Sequence, residues 1–239
     1  MSIVKNEKRV GKFTSSKVYL LMGKGQGHDF TVAAQTYIAE KRHERKLGRS
    51  LDMGHYSRSS AWGLFLEQYV YQHFVGLSYE ISASETMVNP NIPYHAGSTD
   101  LLVKSQKVSD IKCFEPRKFC EIVECFLLKD LEQFKQKFKA EYWQLVSNAL
   151  IHDVSRAESI VYMPTEEDLA EIKEMAMDYQ GADQWKYRFI YESDNHQLAY
   201  IPNGSEYTSL NKLEFEVTQE DKDLLIQRLA LAEEYLTNR

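Results

Sequence analysis

His95-Ala96-Gly97-Ser98-Thr99-Asp100, with Asp110-Ile111-Lys112 further along, carries the strongest structural signal in this sequence. The residues between the two aspartates are enough for a short β-hairpin, which places two carboxylates on adjacent strands. Side chains alternate between the faces of a strand, so Asp110 and Lys112 share a face and Ile111 points to the other. Two converging carboxylates hold a hard divalent cation through oxygen ligands. A neighbouring lysine can orient water and screen charge on a phosphate, so the pattern predicts metal-dependent phosphodiester cleavage.

The pattern also has a purely structural interpretation. An Asp-apolar-Lys tripeptide is common, and alternating charge on a strand is usually a solvated face. Three other segments of the sequence bear on the choice.

The segment 61–74 has apolar residues at helical spacing and predicts an amphipathic helix that packs on the core. Glu67 follows Leu66 on the apolar side of that helix, where an acid is costly to bury unless it is paired or bound to a metal. The alternative is a glutamate at the edge of the apolar stripe that reaches solvent. Both interpretations stay open at this point.

Segments at either side of these motifs carry candidate phosphate ligands. In the predicted helix that includes 140–150, Gln144 has an amide that can donate to a phosphate or to a metal-bound water, or it is an ordinary surface glutamine. Near the start, Thr14 or Ser15 is a good N-cap for a following helix. Free backbone N–H groups at that helix start, hydroxyl groups and Arg9 would together form an anion site; otherwise this is a capped helix with charged flanks.

In this order, the segments resemble the lambda-exonuclease or YqaJ-type viral recombinase branch of the PD-(D/E)xK nucleases. The resemblance runs from Arg9 to about Leu150. It implies an α/β restriction-endonuclease-like core, in which a mixed central sheet is flanked by helices and the site lies on the hairpin strands. The motifs that carry it are Arg-x-Gly-x-Phe-Thr-x-Ser from Arg9, Trp62-Gly63-x-x-x-Glu67, Ser98-x-Asp100, Asp110-x-Lys112-Cys113 and Tyr142-x-Gln144.

The resemblance implies a metal centre and its catalytic residues. Asp100 and Asp110 would bind divalent metal, helped by the backbone carbonyl of Ile111. Lys112 would position or activate the attacking water, and Glu67 would hold the second metal or its water. The metal would be Mg²⁺, two ions in number, with Mn²⁺ able to substitute. Asp110 departs from the family pattern, since the acid before the lysine is usually glutamate.

The resemblance also implies residues that bind phosphate. Ser98 and Gln144 would contact the region of the scissile phosphate. Arg9 and Ser16 match positions that grip the 5′-terminal phosphate.

The implied function is a Mg²⁺-dependent DNA exonuclease that acts on duplex ends, in the 5′-to-3′ direction, in phage-type recombination. The implied partners are double-stranded DNA ends, a single-strand annealing protein and further copies of the chain, as a trimer. Two alternatives stay open. One is a structure- or sequence-selective DNA endonuclease of the same superfamily, because the core does not set where DNA is cut. The other is a non-catalytic DNA-binding or assembly protein.

Length and composition agree with a globular protein. The 239 residues predict one nuclease domain, 1–239, with a core at about 9–201 and a C-terminal helix at about 218–237. No charged-then-apolar leader and no membrane-length apolar run is present, so the expected compartment is the cytoplasm of a bacterial or phage-infected cell. The sequence has three cysteines, Cys113, Cys120 and Cys125, without the spacing of a four-thiolate zinc site. We predict that all three are reduced thiols.

Charge is unevenly distributed although the net charge is −6. Residues 1–49 hold eleven Lys and Arg against four acids, whereas residues 153–239 hold eight against nineteen. If the basic segment 1–49 forms one surface, the basic front, and the acidic segment 153–239 forms the opposite surface, the electrostatic field would direct phosphate into one cleft. The run 41–46 is either part of that basic front or a solvated helix face.

Apolar periodicity and capping signals predict the elements of the chain. The predicted helices are 15–22, 29–47, 58–75, 128–152, 166–178 and 218–237, and the predicted strands are 84–89, 95–103, 107–114, 159–163 and 186–192.

Overall fold

The computed structural model describes residues 7–52, 56–75, 81–82 and 85–238. A five-stranded mixed sheet has the order β2-β5-β6-β7-β8, and a small sheet has the order β1-β4-β3. In the larger sheet β6 and β7 run parallel and the other neighbouring pairs run antiparallel. The strands are β1 (Phe13–Thr14), β2 (Ile81–Ser82), β3 (Met87–Val88), β4 (His95–Gly97), β5 (Leu101–Val103), β6 (Lys107–Lys112), β7 (Arg156–Tyr162) and β8 (Leu210–Glu216).

Helices cover both faces of the larger sheet. They are α1 (Val32–Leu47), α2 (Arg58–Val70), α3 (Pro116–Leu128), α4 (Leu131–Lys137), α5 (Lys139–Ile151), α6 (Asp168–Asp178), α7 (Arg188–Glu192) and α8 (Gln219–Thr237). A π-helical turn, Tyr71–Val75, continues α2. None of these helices in the described ranges is long and apolar enough to cross a membrane.

The alternation of side chains along β6 divides the apolar core into two layers. Val108 packs into the cluster that includes residues of α1, α3, α4, α5 and α8. Ile111 packs on the other face, in the cluster with residues of α2, α6 and α7. A mixed sheet between two helical layers is the fold class predicted from the sequence, which is therefore confirmed.

The hairpin of β5 and β6 fixes the register of the acidic residues. Leu101 pairs with Ser109 and Val103 pairs with Lys107. Lys104 and Ser105 both have positive φ, at 50° and 54°, which suits the tight turn between twisted strands. Because Leu101 faces Ser109, the preceding Asp100 comes alongside Asp110.

The predicted strand 95–103 is two strands in two different sheets. Thr99 separates β4 from β5, and its buried hydroxyl contacts the carbonyl oxygens of Leu101 and Ser109 at 3.0 and 2.9 Å. These contacts hold the chain in a bend that a continuous strand would remove. The predicted strand 84–89 starts outside the described residues, and within its described part, 85–89, only Met87–Val88 (β3) forms a strand.

The extent of the predicted helix 128–152 was wrong. Helix α3 ends at Leu128, and two helices, α4 and α5, occupy the predicted range. The break between α4 and α5 is at Phe138 (φ −113°, ψ 50°). Asp130 caps α4 by accepting a hydrogen bond from the backbone of Gln133. The buried ring of Phe138 packs in the core, so burial of this side chain is favoured over an unbroken helix.

Two other predicted elements differ. The predicted helix 15–22 is a 3-10 helix, Val18–Met22, whose N-cap Lys17 makes no side-chain capping bond. The predicted strand 186–192 is a 3-10 turn followed by α7. Its aromatic composition is typical of strands, but tertiary packing decides the conformation because Ile190 is fully buried in the second cluster.

The C-terminal segment packs on its own chain. Strand β8 forms an edge of the larger sheet and was not predicted. Thr218 caps α8, at the start of the predicted helix 218–237. Arg228 of α8 is buried and donates to the carbonyl oxygens of Leu21, Gly23 and Asp29. Helix α8 is thereby fixed against the segment that precedes α1.

Candidate active site

The β5–β6 hairpin brings together the acids and the lysine of the sequence motif. Asp100 Oδ2 accepts a hydrogen bond of 2.7 Å from the backbone N–H of Ile111. Lys112 Nζ lies 2.7 Å from Asp110 Oδ2 and 3.9 Å from Asp100 Oδ2. Asp110 is buried, whereas Asp100 and Lys112 are partly exposed. The predicted convergence of Asp100, Asp110 and Lys112 is therefore present, at a place that solvent can reach.

Glu67 reaches the same group from α2. Gly63, one turn earlier, lies so close to β6 that a Cβ atom there would be 3.1 Å from the carbonyl oxygen of Cys113. Glu67 is partly buried, and burial raises the pKa of its carboxyl to about 8. The Lys112 ammonium opposes this rise in pKa, while Asp100 and Asp110 add to it. The four groups thus interact electrostatically, as predicted from the sequence.

The site holds an excess of negative charge around one ammonium. Burial raises the pKa of Asp110 to about 7, with Lys112 lowering it and Asp100 raising it. Burial lowers the pKa of Lys112, but the carboxylates of Asp110, Asp100 and Glu67 raise it further, so the net shift is upward. Lys112 therefore keeps its proton at neutral pH. The protonation of Glu67 and Asp110 depends on the charges of the neighbouring carboxylates and of the Lys112 ammonium.

The donor set was tested for its fit to a divalent cation. Asp110 Oδ1 is buried without a hydrogen-bond donor in the described part of the chain, whereas Oδ2 lies 2.7 Å from the Lys112 ammonium. A buried carboxylate oxygen without a donor is costly unless a further cation compensates it. No three Asp, Glu, His or Cys side chains among the described residues already stand in a metal-holding arrangement. Asp100 and Asp110 therefore fit a hard cation as two oxygen ligands, and further ligands require the backbone, water or a movement of Glu67.

Ser98 joins this site to the N-terminal segment. Arg9 donates from Nη2 to Ser98 Oγ, and Arg9 Nε is buried without a partner among the described residues. Burial lowers the pKa of Arg9, while Tyr37 and Asp52 raise it. Two of the four residues that the resemblance assigned to phosphate binding, Arg9 and Ser98, are therefore in direct contact.

Ser16 and Gln144 are not brought into such contact. Ser16 lies exposed in the turn between β1 and the 3-10 helix, and makes no hydrogen bond to a described residue. The helix expected to start there is a short 3-10 segment, Val18–Met22, without a side-chain cap, so the anion site cannot rest on the N-terminus of an α-helix, and phosphate binding by Arg9 and Ser16 stays a prediction. Gln144 is partly buried on α5, one turn before Asn148. Residues four apart share a helix face, so Gln144 lies on the side of α5 that faces Ser98.

The backbone carbonyl of Ile111, the predicted metal ligand, accepts a 3.4 Å hydrogen bond from Lys112 Nζ.

Asn148 was missed by the sequence interpretation. Its Nδ2 donates to the carbonyl of Ser98 at 3.3 Å, and its Oδ1 is buried without a partner in the described residues. Gly97 permits this approach, since a Cβ there would be 2.8 Å from Asn148 Oδ1 and would overlap Ser15 Oγ. The position of Asn148, one turn after Gln144 on the same face, was the available signal.

A buried polar chain supports the same segment. The His95 ring contacts Ser147 Oγ at 2.7 Å and Asn89 Nδ2 at 3.2 Å, and Ser147 donates to Ser15 at 2.8 Å. His95 is fully buried, and burial lowers its pKa to about 3, so the ring is neutral. This chain links β4, α5 and the residue that follows β1.

The basic front expected from residues 41–46 is smaller than the charge count indicates. Lys41 and Glu44 are buried and paired at 2.9 Å, and Glu44 also accepts from the backbone of Gly11. Arg45 pairs with Glu233 of α8 at 2.7 Å. Lys41 and Arg45 therefore form ion pairs within the protein, and their charges are partly neutralised by Glu44 and Glu233.

Three solved structures share this fold. The crystal structure of LHK-Exo in complex with dAMP has a TM-score of 0.65 and 14% sequence identity, over 99% of this chain and 93% of its own. An alkaline exonuclease (LHK-Exo) from Laribacter hongkongensis gives 0.63 and 16%, over 99% and 95%. A phage-related exonuclease from Haemophilus somnus 129PT gives 0.59 and 15%, over 94% and 93%. No family model and no curated protein matches the sequence.

These likenesses extend over nearly the whole chain, so they concern the complete arrangement of sheets and helices. The resemblance to the lambda-exonuclease and YqaJ-type family is thus confirmed at the level of the fold: this chain folds as the alkaline and phage-related exonucleases do.

Proposed function

We propose that this protein is a metal-dependent deoxyribonuclease that removes nucleotides from the ends of duplex DNA. The observation that carries the proposal is the convergence of Asp100, Asp110 and Lys112 on one edge of the hairpin, with Lys112 Nζ 2.7 and 3.9 Å from the two carboxylates. The fold shared with exonucleases supports the same reaction class. The proposed direction, 5′ to 3′, and the role in recombination follow from the family resemblance.

In this proposal Asp100 and Asp110 would hold Mg²⁺, with the carbonyl of Ile111, and Glu67 would hold a second ion or its water. A divalent ion bound there supplies Lewis-acid stabilisation of the phosphate charge and lowers the pKa of bound water. Lys112, whose Nζ lies 2.7 Å from Asp110 Oδ2, would position or activate the attacking water and screen charge on the phosphate. Ser98 and Gln144 orient the scissile region, and Arg9 and Ser16 bind the terminal phosphate.

The test is digestion of an end-labelled linear duplex beside a covalently closed circle of the same sequence. We expect the linear form to lose mononucleotides with Mg²⁺ or Mn²⁺, and to remain intact with chelator. Cleavage of the closed circle would favour an endonuclease instead. No metal-dependent product from any DNA form would favour a non-catalytic DNA-binding protein.

The site supports DNA as the partner, whereas the assembly is proposed from the resemblance alone. We propose a homotrimer and a single-strand annealing protein as the accompanying partner, acting in the cytoplasm of a bacterial or phage-infected cell. Light scattering at working concentration tests the first of these, and a monomer would contradict it.

A further inference from the structure

A chain of buried polar side chains runs from the loop before β4 to the edge of the candidate active site. This polar chain consists of Asn89, His95, Ser147, Ser15 and Asn148, each at most 2% exposed. Buried polar groups are costly unless each one finds a partner, and a fully satisfied network makes its surroundings rigid. The value of the polar chain to the protein therefore depends on how its hydrogen bonds are completed and on what it holds in place.

The first hydrogen bonds set the direction of the polar chain. Asn89 Oδ1 accepts from two backbone N–H groups of the turn that follows it, so its Nδ2 donates to His95 Nδ1 at 3.2 Å. Burial lowers the pKa of His95 to about 3, so the ring is neutral and its one N–H is on Nε2. This Nε2 donates to Ser147 Oγ at 2.7 Å, and Ser147 donates to Ser15 Oγ at 2.8 Å.

The hydroxyl proton of Ser15 lies next to an unused acceptor. Ser15 Oγ accepts from Ser147, and no described residue accepts the proton of its own hydroxyl. Asn148 Oδ1 is buried without a partner in the described part of the chain. A Cβ atom at Gly97 would overlap Ser15 Oγ and would lie 2.8 Å from Asn148 Oδ1, so both oxygen atoms face the same small space. A hydrogen bond from Ser15 to Asn148 would leave neither group unpaired.

The other end of the Asn148 amide holds Ser98. Its Nδ2 donates to the carbonyl of Ser98 at 3.3 Å. Ser98 lies between β4 and β5 and belongs to neither strand, so a side chain and not a strand partner holds this carbonyl. The Ser98 hydroxyl accepts from Arg9, and Asp100 follows two residues later. The polar chain thus ends at the backbone that connects the proposed phosphate ligands to the proposed metal ligands.

We propose that Asn148 is a positioning residue for the cleavage reaction: with Oδ1 held by Ser15 and Nδ2 on the Ser98 carbonyl, it sets where Ser98 and Arg9 meet the terminal phosphate. The inference rests on the proposed nuclease function and gives a role to buried residues that do not touch DNA. Exact placement matters because a displacement of about 1 Å can slow a reaction by about 10²-fold.

Nuclear magnetic resonance of the full chain without added metal tests the hydrogen bonds independently of catalysis. Histidine labelled with ¹⁵N reports which ring nitrogen carries the proton, and labelled asparagine reports on the Asn148 side-chain amide. We expect Nε2–H in His95. In Ser15→Ala the Asn148 amide resonance should shift, because Oδ1 loses its donor. A proton on His95 Nδ1, or an Asn148 resonance that Ser15→Ala leaves in place, would overturn the proposal.

Digestion of 5′-phosphorylated and 5′-hydroxyl duplexes tests the positioning role. Asn148→Asp keeps the shape of the side chain but replaces the N–H donor to Ser98 by an oxygen atom, and Ser15→Ala removes the hydroxyl without adding charge. Under single-turnover conditions we expect each variant to cut the phosphorylated duplex about tenfold more slowly, with a much smaller change on the hydroxyl end. Thr218→Ala is the control for lost stability, since it removes the side-chain cap of α8 and should keep the parental ratio of the two rates.

The ratio of the two rates separates positioning from a purely structural role, which would change both rates together. A parental ratio in Ser15→Ala would overturn the proposal, and this variant decides if Asn148→Asp does not fold. A lowered ratio together with the shifted resonance supports it. If the parent protein cuts neither duplex, the nuclease proposal fails, and the resonances alone decide whether Ser15 holds Asn148.

Discussion

Arg9 donates a hydrogen bond to the hydroxyl of Ser98, although 89 positions separate the two residues in the chain. Ser98 lies two residues before Asp100, and Arg9 Nε is buried without a partner in the described residues. An arginine with unused donors, held beside the acidic centre, is suited to a phosphate oxygen. The contact thus connects a proposed end-recognition group to the proposed catalytic group.

Arg9→Ala should therefore abolish the preference for phosphorylated ends. Hydrogen bonds to charged groups contribute about 1.5–3 kcal/mol, so we expect the rate on a 5′-phosphorylated duplex to fall about 10- to 100-fold. The rate on a dephosphorylated duplex should change little. The comparison is made by end-label release under single-turnover conditions, with the exposed Arg49→Ala as control. A preference that survives Arg9→Ala would show that the terminal phosphate is bound elsewhere.

Lys112→Ala should remove both activity and stability, for separable reasons. The substitution leaves the buried Asp110 carboxylate without its ammonium, which should reduce the free energy of unfolding by about 2 kcal/mol. Loss of the group that orients water and phosphate should lower cleavage by about 10³-fold. Urea denaturation and digestion of linear duplex measure the two effects, with the exposed Lys46→Ala as control.

Adding Asp110→Asn to Lys112→Ala separates stability from catalysis. The neutral amide no longer needs a cation and can donate toward Asp100, so the double variant should regain most of the lost stability. It should remain inactive, because one of the two carboxylates that fit the metal is gone. Recovery of cleavage in the double variant would exclude both residues from the chemistry.

The sequence predicted the parts of the site that lie on regular elements. Asp110 and Lys112 share a face of β6, and strand alternation was sufficient to place them. Helical periodicity left the position of Glu67 on α2 open, and its place near the acids was predicted from the family resemblance. The hairpin register that brings Asp100 alongside Asp110 followed from the number of residues between them. Local rules were enough because these contacts are close in sequence or lie on one face.

The contacts that escaped prediction depend on tertiary packing. The carbonyl of Ser98 is held by Asn148, fifty residues further on, and no local pattern links them. Phe138 breaks a segment with helical periodicity because its ring is buried, and α7 contains strand-forming residues held in a helix by the burial of Ile190. These features arise from the three-dimensional arrangement of the elements, which a single sequence does not specify at the local level.

Gly63 sets the distance between α2 and β6, so Gly63→Ala should displace Glu67. The added methyl would meet the carbonyl oxygen of Cys113 at 3.1 Å, and the helix must move by a few tenths of an ångström to relieve the contact. Glu67 lies one turn further along the same helix, so we expect about a tenfold loss of cleavage with the fold retained. Leu64→Ala, on the exposed side of α2, is the control for helix propensity. Full activity in Gly63→Ala would mean that Glu67 tolerates the shift or has no part in the reaction.

His95 should make the stability of the fold dependent on pH in mildly acidic solution. Burial lowers its pKa to about 3, whereas a histidine in the unfolded chain titrates near 6.5. Between these values the unfolded state binds the extra proton, so this contribution to stability is complete above about pH 6.5 and is lost as the pH falls. From pH 7.5 to 5.5 the expected loss from this residue is about 1.4 kcal/mol.

The measurement is urea denaturation at these two pH values for the parent protein and for His95→Gln, which has no titratable ring. Other groups, including His152, whose pKa burial also lowers, contribute equally to both proteins. The difference between the two pH dependences therefore isolates His95. Ser147→Ala removes a hydrogen-bond partner of His95 but keeps the buried ring, so it should be less stable at both pH values and retain the parental pH dependence. The same pH dependence in His95→Gln as in the parent would show that His95 does not have to stay neutral for the protein to fold.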